Sequence, residues 1–491
     1  MVFNPSNYQR RIFSFVSQDD GSAAVKAVAG AGKTTTLVEA AKLLPSGDAL
    51  FVAFNKHIAD TLKVRLADTR MASRTVHSIG WACLARQWDS EPQLDEDKYW
   101  RLIRAWVKGE RPQLLEREAE DLVANGIKLI NLVRLTLTNP ANETDIHSLI
   151  WHYGIDIFDS GFIAAVDWIL VQGAKIAQDT YKVDFTDMIW LPAYWNLYPR
   201  KVDWVFVDEA QDLSAAQLAL IRKCLKPNSR VLAVGDPNQA IYGFAGADTR
   251  SFERVKSGIG AIELPLSICY RCPQSHIRLA QEIVPEIEAS PNAPAGLVTK
   301  ESEGHLSKLV QKGDIILSRK TTPLVDSCIK LIQQGISAQV RGRDIGKDLS
   351  ILIERVARQP DFHFDDFIEF VDLFEERQLK RLKQRENSMT QIQSLQDRCE
   401  TLRVCYLGFD AGTLEELQFA IENLFTDNQP DVWFSTVHRA KGLEADRVFI
   451  LRPNDMPLTW EGQMQWEFQQ EMNLFYVALT RSKHFLCFLE H

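Results

Sequence analysis

The sequence has no surplus of positive charge. Its 56 Lys and Arg residues are outnumbered by 65 Asp and Glu residues, which leaves a formal net charge of −9. A protein that holds a polyanion by its overall charge has the opposite balance. Any site for a nucleotide or a nucleic acid must therefore be local and formed by a few residues.

Long apolar runs and paired cysteines are also missing. No run approaches the ~18 apolar residues of a membrane span, and residues 1–13 lack the apolar segment of a signal peptide. The 8 cysteines are scattered, and Cys269 and Cys272 have no second close pair with which to form a zinc site. We expect reduced thiols throughout, in a cytoplasmic protein without a membrane partner.

The 491 residues exceed the ~250–300 at which a single core stops growing, so at least two domains are expected. Short apolar runs typical of a buried parallel sheet occur in both halves, and in each half a long stretch with helical periodicity separates them. The sequence therefore predicts an α/β fold with two domains, each with a mainly helical insertion. The apolar runs are residues 25–28, 49–54, 204–207 and 231–234, then 314–318, 336–340, 432–435, 448–451 and 485–489.

A glycine-rich turn follows the first apolar run. Residues 27–34, Ala-Val-Ala-Gly-Ala-Gly-Lys-Thr, place small residues ahead of a helix, where backbone N–H groups can approach phosphate. Ala27 stands where the general P-loop pattern has Gly, so a turn without a ligand is the alternative. We expect Lys33 to contact the β- and γ-phosphates of a nucleotide and Thr34 to bind Mg²⁺. The predicted nucleotide-binding residues of this segment are Ala29, Gly30, Ala31, Gly32, Lys33, Thr34 and Thr35.

Two adjacent carboxylates, Asp208 and Glu209, follow the apolar run 204–207. Ligands of parallel α/β sheets bind at the carboxyl ends of the strands. Asp208 would hold Mg²⁺, and Glu209 would orient and deprotonate the attacking water. Adjacent acids after a strand could instead form a solvated loop or a helix N-cap, but together with the P-loop they favour a catalytic site.

The order of motifs resembles that of superfamily-1 helicases of the UvrD/Rep type, with matches from Gln9 to Arg481. The matching segments are AGAGKT at 29–34, FVAFNK at 51–56, TVHS at 75–78, DEAQD at 208–212, GDPNQAIYGFAGA at 235–247, LSICYR at 266–271, TVHRAKGLE at 436–444 and YVALTR at 476–481. The resemblance implies two RecA-like P-loop NTPase domains, each with a mainly helical insertion, and both insertions are short for the family. The implied boundaries are 1–88 and 184–265 for the first domain, 89–183 for its insertion, 266–345 and 428–491 for the second domain, and 346–427 for its insertion.

The resemblance also implies how ATP is held, in a cleft between the two domains. Gln9 would read the adenine edge, Tyr270 would stack on the base, and Glu444 would lie near the ribose or the phosphates. Gln239 would act as the sensor of the γ-phosphate. Thr35 departs from the family, because relatives often have an Arg there that packs on the adenine.

Two arginines of the second domain, Arg271 and Arg481, would act as arginine fingers that neutralise charge on the transferred phosphoryl group. For a lone arginine, a surface ion pair would be the better interpretation. The motifs that contain these two residues favour the catalytic role.

Tracking of a single strand needs aromatic faces for the bases and polar groups for the phosphates. Phe54 could equally be a core residue, and His77 and His438 could be capping or core histidines. Phe244 stands where relatives usually have Trp. The stacking residues implied by the resemblance are Phe54, Tyr242 and Phe244. The implied backbone contacts are Asn55, His77, Thr436 and His438.

The implied activity is that of an ATP-dependent DNA helicase that moves 3′ to 5′ on single-stranded DNA and unwinds duplex in repair or replication, nucleoid-associated when on DNA. Its partners would be single-stranded DNA and junctions of single- and double-stranded DNA, with a nuclease or a replication or repair factor as an open candidate. Two alternatives stay open. One is a translocase with little net unwinding, and the other is an ATP-switched clamp with negligible turnover.

Overall fold

The computed structural model describes residues 3–45, 47–53, 55–157, 159–241, 250–383, 389–426 and 430–491. The chain divides into two compact units, Met1–Ser267 and Ile268–His491. Each unit contains one large parallel sheet with helices around it, so the predicted α/β class with two domains is confirmed.

The sheet of the first unit has six parallel strands in the order β3-β2-β6-β7-β1-β8. Their bounds are Ala23–Ala27 (β1), Ala49–Ala53 (β2), Met71–Thr75 (β3), Val202–Val207 (β6), Leu225–Gly235 (β7) and Ile262–Leu266 (β8). A separate two-stranded sheet pairs Gln93–Leu94 (β4) with Lys182–Val183 (β5). Each of the four apolar runs predicted for this half overlaps a strand of the large sheet.

Burial explains which strands the apolar runs predicted. Strand β2 is buried at every residue, and alternate residues of β2, β6 and β7 pack into one core under the sheet. The edge strands β3 and β8 were not predicted, because polar, exposed residues interrupt them. An edge strand has a neighbour on one side only, so it needs fewer apolar residues.

The helices of the first unit fall into two groups, one around the sheet and one in a separate helical segment. Those around the sheet are Asn7–Gln18 (α1), Lys33–Ala41 (α2), Lys56–Arg65 (α3), Val76–Trp88 (α4), Phe185–Tyr194 (α9), Ala215–Lys223 (α10) and Ser251–Gly258 (α11). The helical segment between them contains Lys98–Glu110 (α5), Glu116–Thr136 (α6), Glu143–Tyr153 (α7) and Ser160–Thr180 (α8). It has its own apolar core, which extends to α4 and α9.

Helix α8 corrects one expectation from the sequence. Among the described residues it is the one helix long and apolar enough to cross a membrane, with a mean hydropathy of 1.2, although no run was expected to reach that length. Half of that stretch is buried, and Phe162, Val166 and Ile169 pack into the core of the helical segment. Its apolar composition is thus explained by core packing.

A buried ion cluster joins this helical segment to α9. The Arg134 guanidinium of α6 donates to both carboxylate oxygens of Asp184, at 2.8 and 2.7 Å, and to Asp187 Oδ1 at 2.8 Å. Lys98 donates to Asp187 as well, and the Tyr99 ring lies 3.9 Å from the guanidinium. Two cations thus balance two carboxylates. Burial alone would raise the pKa of Asp184, but the charge and hydrogen bonds of Arg134 lower it below its usual value.

The second unit has a six-stranded parallel sheet in the order β11-β16-β15-β12-β14-β13. Its bounds are Leu297–Ser302 (β11), Ile315–Ser318 (β12), Ala338–Val340 (β13), Val432–Thr436 (β14), Ala445–Leu451 (β15) and Ser482–Glu490 (β16). A small sheet pairs Ile268–Cys269 (β9) with Glu288–Ala289 (β10). The edge strand β11 was not predicted, again because its residues are polar and largely exposed.

Helices of the second unit fall into two groups. Those near the sheet are Gln274–Gln281 (α12), Leu306–Leu309 (α13), Thr321–Gln333 (α14) and Gln465–Leu479 (α19). The others are Arg343–Ala357 (α15), Phe367–Leu382 (α16), Met389–Phe409 (α17) and Leu414–Leu424 (α18). The predicted start of the second insertion, residue 346, falls inside α15. All of the predicted domain boundaries stay predictions.

We predict that Arg134→Leu destabilises the first unit strongly. Removing one partner of a buried ion cluster leaves a carboxylate without its cation, which costs about 3–5 kcal/mol of unfolding free energy. Denaturant unfolding of both proteins measures this difference. The control is Arg101→Leu, because the ion pair of Arg101 with Asp95 is exposed and contributes less than about 1 kcal/mol. Equal effects of the two substitutions would contradict the prediction.

Candidate active site

Three neighbouring strands of the first sheet bring the predicted nucleotide-binding residues together. Strand β1 leads into the glycine-rich turn, β6 ends before Asp208, and β7 ends before Asp236. Because the strands are parallel and lie in the order β6-β7-β1, their carboxyl ends meet at one edge. The candidate site is built on this edge.

The glycine-rich turn has the backbone that a phosphate cradle needs. Gly30 and Gly32 have φ values of 66° and 74°, in the left-handed region that favours glycine. Helix α2 starts at Lys33 directly after this turn. The N–H groups in the first turn of a helix have no acceptor within the helix, so this end of α2 suits an anion.

Lys33 lies among three carboxylates. Its Nζ is 3.1 Å from Glu209 Oε2. Burial alone would lower the pKa of Lys33, but the charges of Glu209, Asp236 and Asp208 raise it above its usual value. Burial raises the pKa of both Asp208 and Asp236 to about 6, and the charge of Glu209 adds to the effect. The site therefore concentrates negative charge in a water-poor place.

The predicted metal ligands are adjacent. Thr34 Oγ1 donates a hydrogen bond of 2.7 Å to Asp208 Oδ2. A hydroxyl and a carboxylate oxygen are ligands of the kind that Mg²⁺ accepts, usually with several waters and substrate phosphates. Among the residues the structure describes, no group of three or more His, Cys, Asp or Glu side chains could hold a metal by itself. The pair Thr34 and Asp208 thus fits a Mg²⁺ that is shared with a nucleotide.

Gln9, Gln239 and Thr35 all lie near this site. Gln9 is buried, and its Nε2 donates to Thr36 Oγ1 at 3.0 Å while its Oε1 accepts from the Ser6 N–H at 3.0 Å. Gln239 Nε2 donates to Asp236 Oδ2 at 2.7 Å. Thr35 Oγ1 accepts from Arg65 Nη2 at 3.4 Å. Arg65, which places a cation beside Thr35, was not predicted, because it lies at the end of α3, outside the matching segments.

The other half of the same edge holds two predicted DNA contacts. Asn55 follows β2 and caps α3, where its side chain accepts from the Ile58 N–H at 2.9 Å. His77 lies in the first turn of α4, and burial lowers the pKa of its imidazole, so the ring is neutral at pH 7. The predicted stacking residues Phe54, Tyr242 and Phe244 lie outside the described residues.

The sequence analysis also missed Phe185, the first residue of α9. Its ring packs edge-on against His77, with centroids 6.0 Å apart, and half of the residue is exposed. An exposed ring at this edge offers a face on which a base can stack. The signal in the sequence was weak, because Phe185 follows the helical insertion and lies far from the TVHS motif.

In the second unit, Arg271 and Glu444 are joined by an ion pair. Arg271 Nε is 2.7 Å from Glu444 Oε2, and Arg271 Nη1 donates to the Thr480 carbonyl at 3.2 Å. Partial burial alone would raise the pKa of Glu444, but Lys483 and Arg271 lower it below its usual value. Tyr270 is 47% exposed, which leaves its ring available for stacking. The residues predicted from two distant motifs are thus adjacent.

Arg481 is placed differently from Arg271. It is buried, and its guanidinium donates to the carbonyls of Val477 at 2.9 Å and Leu443 at 3.3 Å. Its role as an arginine finger stays a prediction. That role requires some of these hydrogen bonds to be exchanged for bonds to phosphate oxygens.

The remaining predicted DNA contacts follow β14. Thr436 ends this strand, and its carbonyl accepts from the Arg439 N–H at 3.0 Å. Burial and the nearby Arg319 and Arg439 lower the pKa of His438 to about 3, so its imidazole is neutral at pH 7. A neutral ring can still donate one hydrogen bond to a phosphate. Both assignments stay predictions.

Comparisons with known proteins agree with these motifs. Residues 8–259 match the family described as the UvrD/REP helicase N-terminal domain. Residues 431–489 match the UvrD-like helicase C-terminal domain. The chain belongs to the UvrD/Rep helicase family. The resemblance inferred from the order of motifs is therefore confirmed.

Several DNA helicases are similar to this chain, two over most of it and one over a quarter of it. The F-box DNA helicase protein 1 of Schizosaccharomyces pombe is 24% identical over 94% of this chain and 54% of its own length. The F-box DNA helicase 1 of Gallus gallus is 24% identical over 98% of this chain and 49% of its own length. The ATP-dependent DNA helicase PcrA of Bacillus subtilis is 31% identical over 25% of this chain and 18% of its own length. The chain thus spans about half the length of the two F-box relatives.

We predict that Asp208→Asn stabilises the magnesium-free protein at pH 7.5. Burial raises the folded-state pKa of Asp208 to about 6, well above the usual value of an aspartate, so its ionised form is disfavoured by folding. Above pH 6 the free energy of unfolding of the wild type is therefore lower by up to about 3 kcal/mol. The Asn variant avoids this loss because its side chain stays neutral. Below pH 4 both side chains are neutral and the difference should vanish.

Thermal and denaturant unfolding in a chelating buffer, from pH 3.5 to 8, measure this difference. The control is Asp203→Asn at the other end of β6. The hydrogen bond from Lys226 lowers the pKa of Asp203, so this substitution should give a small change of opposite sign. A less stable Asp208→Asn protein at pH 7.5 would contradict the prediction.

Proposed function

We propose that the protein is an ATP-dependent DNA helicase that translocates on single-stranded DNA and couples ATP hydrolysis to duplex unwinding. The observation that carries this proposal is the cluster of Lys33, Thr34, Asp208 and Glu209 at the carboxyl edge of the first sheet. Membership in the UvrD/Rep helicase family supports it. The relatives' names include ATP-dependent DNA helicases.

Each residue of the cluster has a defined part in the proposed hydrolysis. Lys33 and the N–H groups at the start of α2 bind the phosphates of ATP. Thr34 and Asp208 hold Mg²⁺, which when bound supplies positive charge against the phosphate oxygens. Glu209 orients a water for attack on the γ-phosphate and takes its proton. Arg271 and Arg481 are proposed to neutralise the charge that develops on the transferred group.

The DNA strand is proposed to follow polar and aromatic residues of both units. Asn55, His77 and the exposed ring of Phe185 provide such groups in the first unit, and Thr436 and His438 provide them in the second. Stacking and backbone contacts do not require a particular base, so binding should be independent of the DNA sequence. The proposed direction of movement is 3′ to 5′, which rests on the resemblance of the motifs to the UvrD branch.

The first prediction tests the chemistry. Single-stranded DNA should stimulate ATP hydrolysis by the wild type, and Glu209→Gln should lower the stimulated kcat at least about 100-fold, because it removes the general base. Steady-state phosphate release with and without DNA measures both values. Glu39→Gln is a control, since Glu39 lies on the same unit in an ion pair with Lys42. Tight DNA binding by a wild type without turnover would leave only the ATP-switched clamp.

The second prediction concerns direction and unwinding. Strand separation should occur on duplexes with a 3′ single-stranded tail and fail on matched duplexes with a 5′ tail or blunt ends. Fluorescence of a labelled displaced strand measures the rate on each substrate at equal protein concentration. Unwinding from the 5′ tail would reverse the proposed polarity. Stimulated hydrolysis with no unwinding from either tail would favour the translocase.

A further inference from the structure

Gln211 is a buried polar residue at the site. None of the roles assigned above involves it. It belongs to the DEAQD segment, two residues after Glu209, and it is fully buried in a short 3-10 turn, Ala210–Asp212. A buried carboxamide needs partners for both its oxygen and its nitrogen. Its partners identify what it does.

The Gln211 carboxamide lies between two parts of the site. Its Nε2 donates to Glu209 Oε2 at 2.6 Å, and its Oε1 accepts from the Asp236 backbone N–H at 3.0 Å. Nε2 also lies 3.3 Å from Asp212 Oδ2. A backbone N–H can only donate and a carboxylate can only accept, so these partners fix which way the amide faces.

The end of β7 leaves room for this side chain only because residue 235 is glycine. A Cβ added to Gly235 would lie 2.6 Å from Gln211 Oε1 and 3.0 Å from Gln211 N. Any larger residue at 235 would displace the carboxamide from Asp236. The position of the carboxamide therefore depends on the absence of a side chain at Gly235 as well as on its hydrogen bonds.

The hydrogen bonds continue from Gln211 to the predicted γ-phosphate sensor. The side chain of Asp236 accepts a hydrogen bond from Gln239, whose Nε2 is 2.7 Å from Asp236 Oδ2. Glu209 has a second partner in Lys33 at 3.1 Å. In the proposed function Lys33 binds phosphate, and the hydrogen bond from Gln211 can still hold Glu209 in place during the reaction.

We propose that Gln211 is a positioning residue that holds the Glu209 carboxylate in its catalytic orientation and ties it to the segment containing Asp236 and Gln239. This inference rests on the proposed function, because it assigns Glu209 the part of general base. Gln211 itself touches neither phosphate nor water in this role. Its effect on the reaction passes through Glu209.

The test compares two Gln→Met variants of the full-length chain. Met has nearly the size of Gln and cannot make these hydrogen bonds, so Gln211→Met removes the contact to Glu209 with little change in volume. The matched control is Gln217→Met. Gln217 lies in the same stretch, where its Oε1 accepts from the Ser214 N–H at 2.8 Å and caps α10.

For Gln211→Met we expect a DNA-stimulated kcat lowered about 10- to 100-fold, since small displacements of a catalytic group have effects of this size. The KM for ATP and the affinity for single-stranded DNA should stay within about threefold of the wild type, because the phosphate contacts remain. Gln217→Met should lower the midpoint of thermal unfolding and leave kcat unchanged. If Gln211→Met does not fold, Gln211→Asn, which is polar but too short to reach both partners, replaces it.

A double variant separates positioning from general damage. If Gln211 acts through Glu209, adding Gln211→Met to Glu209→Gln should cause no further loss of kcat. A wild-type kcat in Gln211→Met, or additive losses in the double variant, would overturn the inference and leave the proposed function standing. A wild type without DNA-stimulated hydrolysis would instead overturn the proposed function.

Discussion

The first unit depends on one buried ammonium group that faces three carboxylates. With Lys33, Asp208, Glu209 and Asp236 all ionised, the cluster would carry an excess of negative charge away from water, which is unfavourable. The pKa values of Asp208 and Asp236, both raised to about 6, express this cost. A divalent cation bound as proposed would relieve this cost, and the cation and Lys33 together would balance phosphate oxygens. We therefore expect the proposed metal nucleotide to stabilise the first unit.

The sheet makes this cluster possible. Thr34 and Asp208 are 174 residues apart in the sequence, yet their side chains meet at 2.7 Å because β1, β7 and β6 are neighbours with a fixed register. Packing fixes that register, since a shift by one residue would turn every side chain of a strand to the opposite face of the sheet. The apolar strands therefore contribute to the chemistry through the position of the loops that follow them.

The sequence was sufficient for the central strands, the glycine-rich turn and the acids after β6, because each has a local signature. It was insufficient for the edge strands β3, β8 and β11, whose polar residues lack the apolar pattern. It also did not show that Arg481 is buried among carbonyls, nor that Phe185 packs on His77. Those facts depend on tertiary neighbours, and no periodicity along the chain reports them.

Glu209 shows how backbone strain and chemistry are linked at this edge. Its φ of 53° lies in the left-handed region, which costs a residue other than glycine about 1–2 kcal/mol. Glycine at this position would relax the backbone and remove the carboxylate. The strain persists because the surrounding contacts hold it: the Asp212 N–H donates to the Glu209 carbonyl at 2.9 Å, and Gln211 holds the carboxylate. The conformation that aims Glu209 at Lys33 is therefore maintained by the turn that follows it, and weakening that turn should release the carboxylate before it unfolds the sheet.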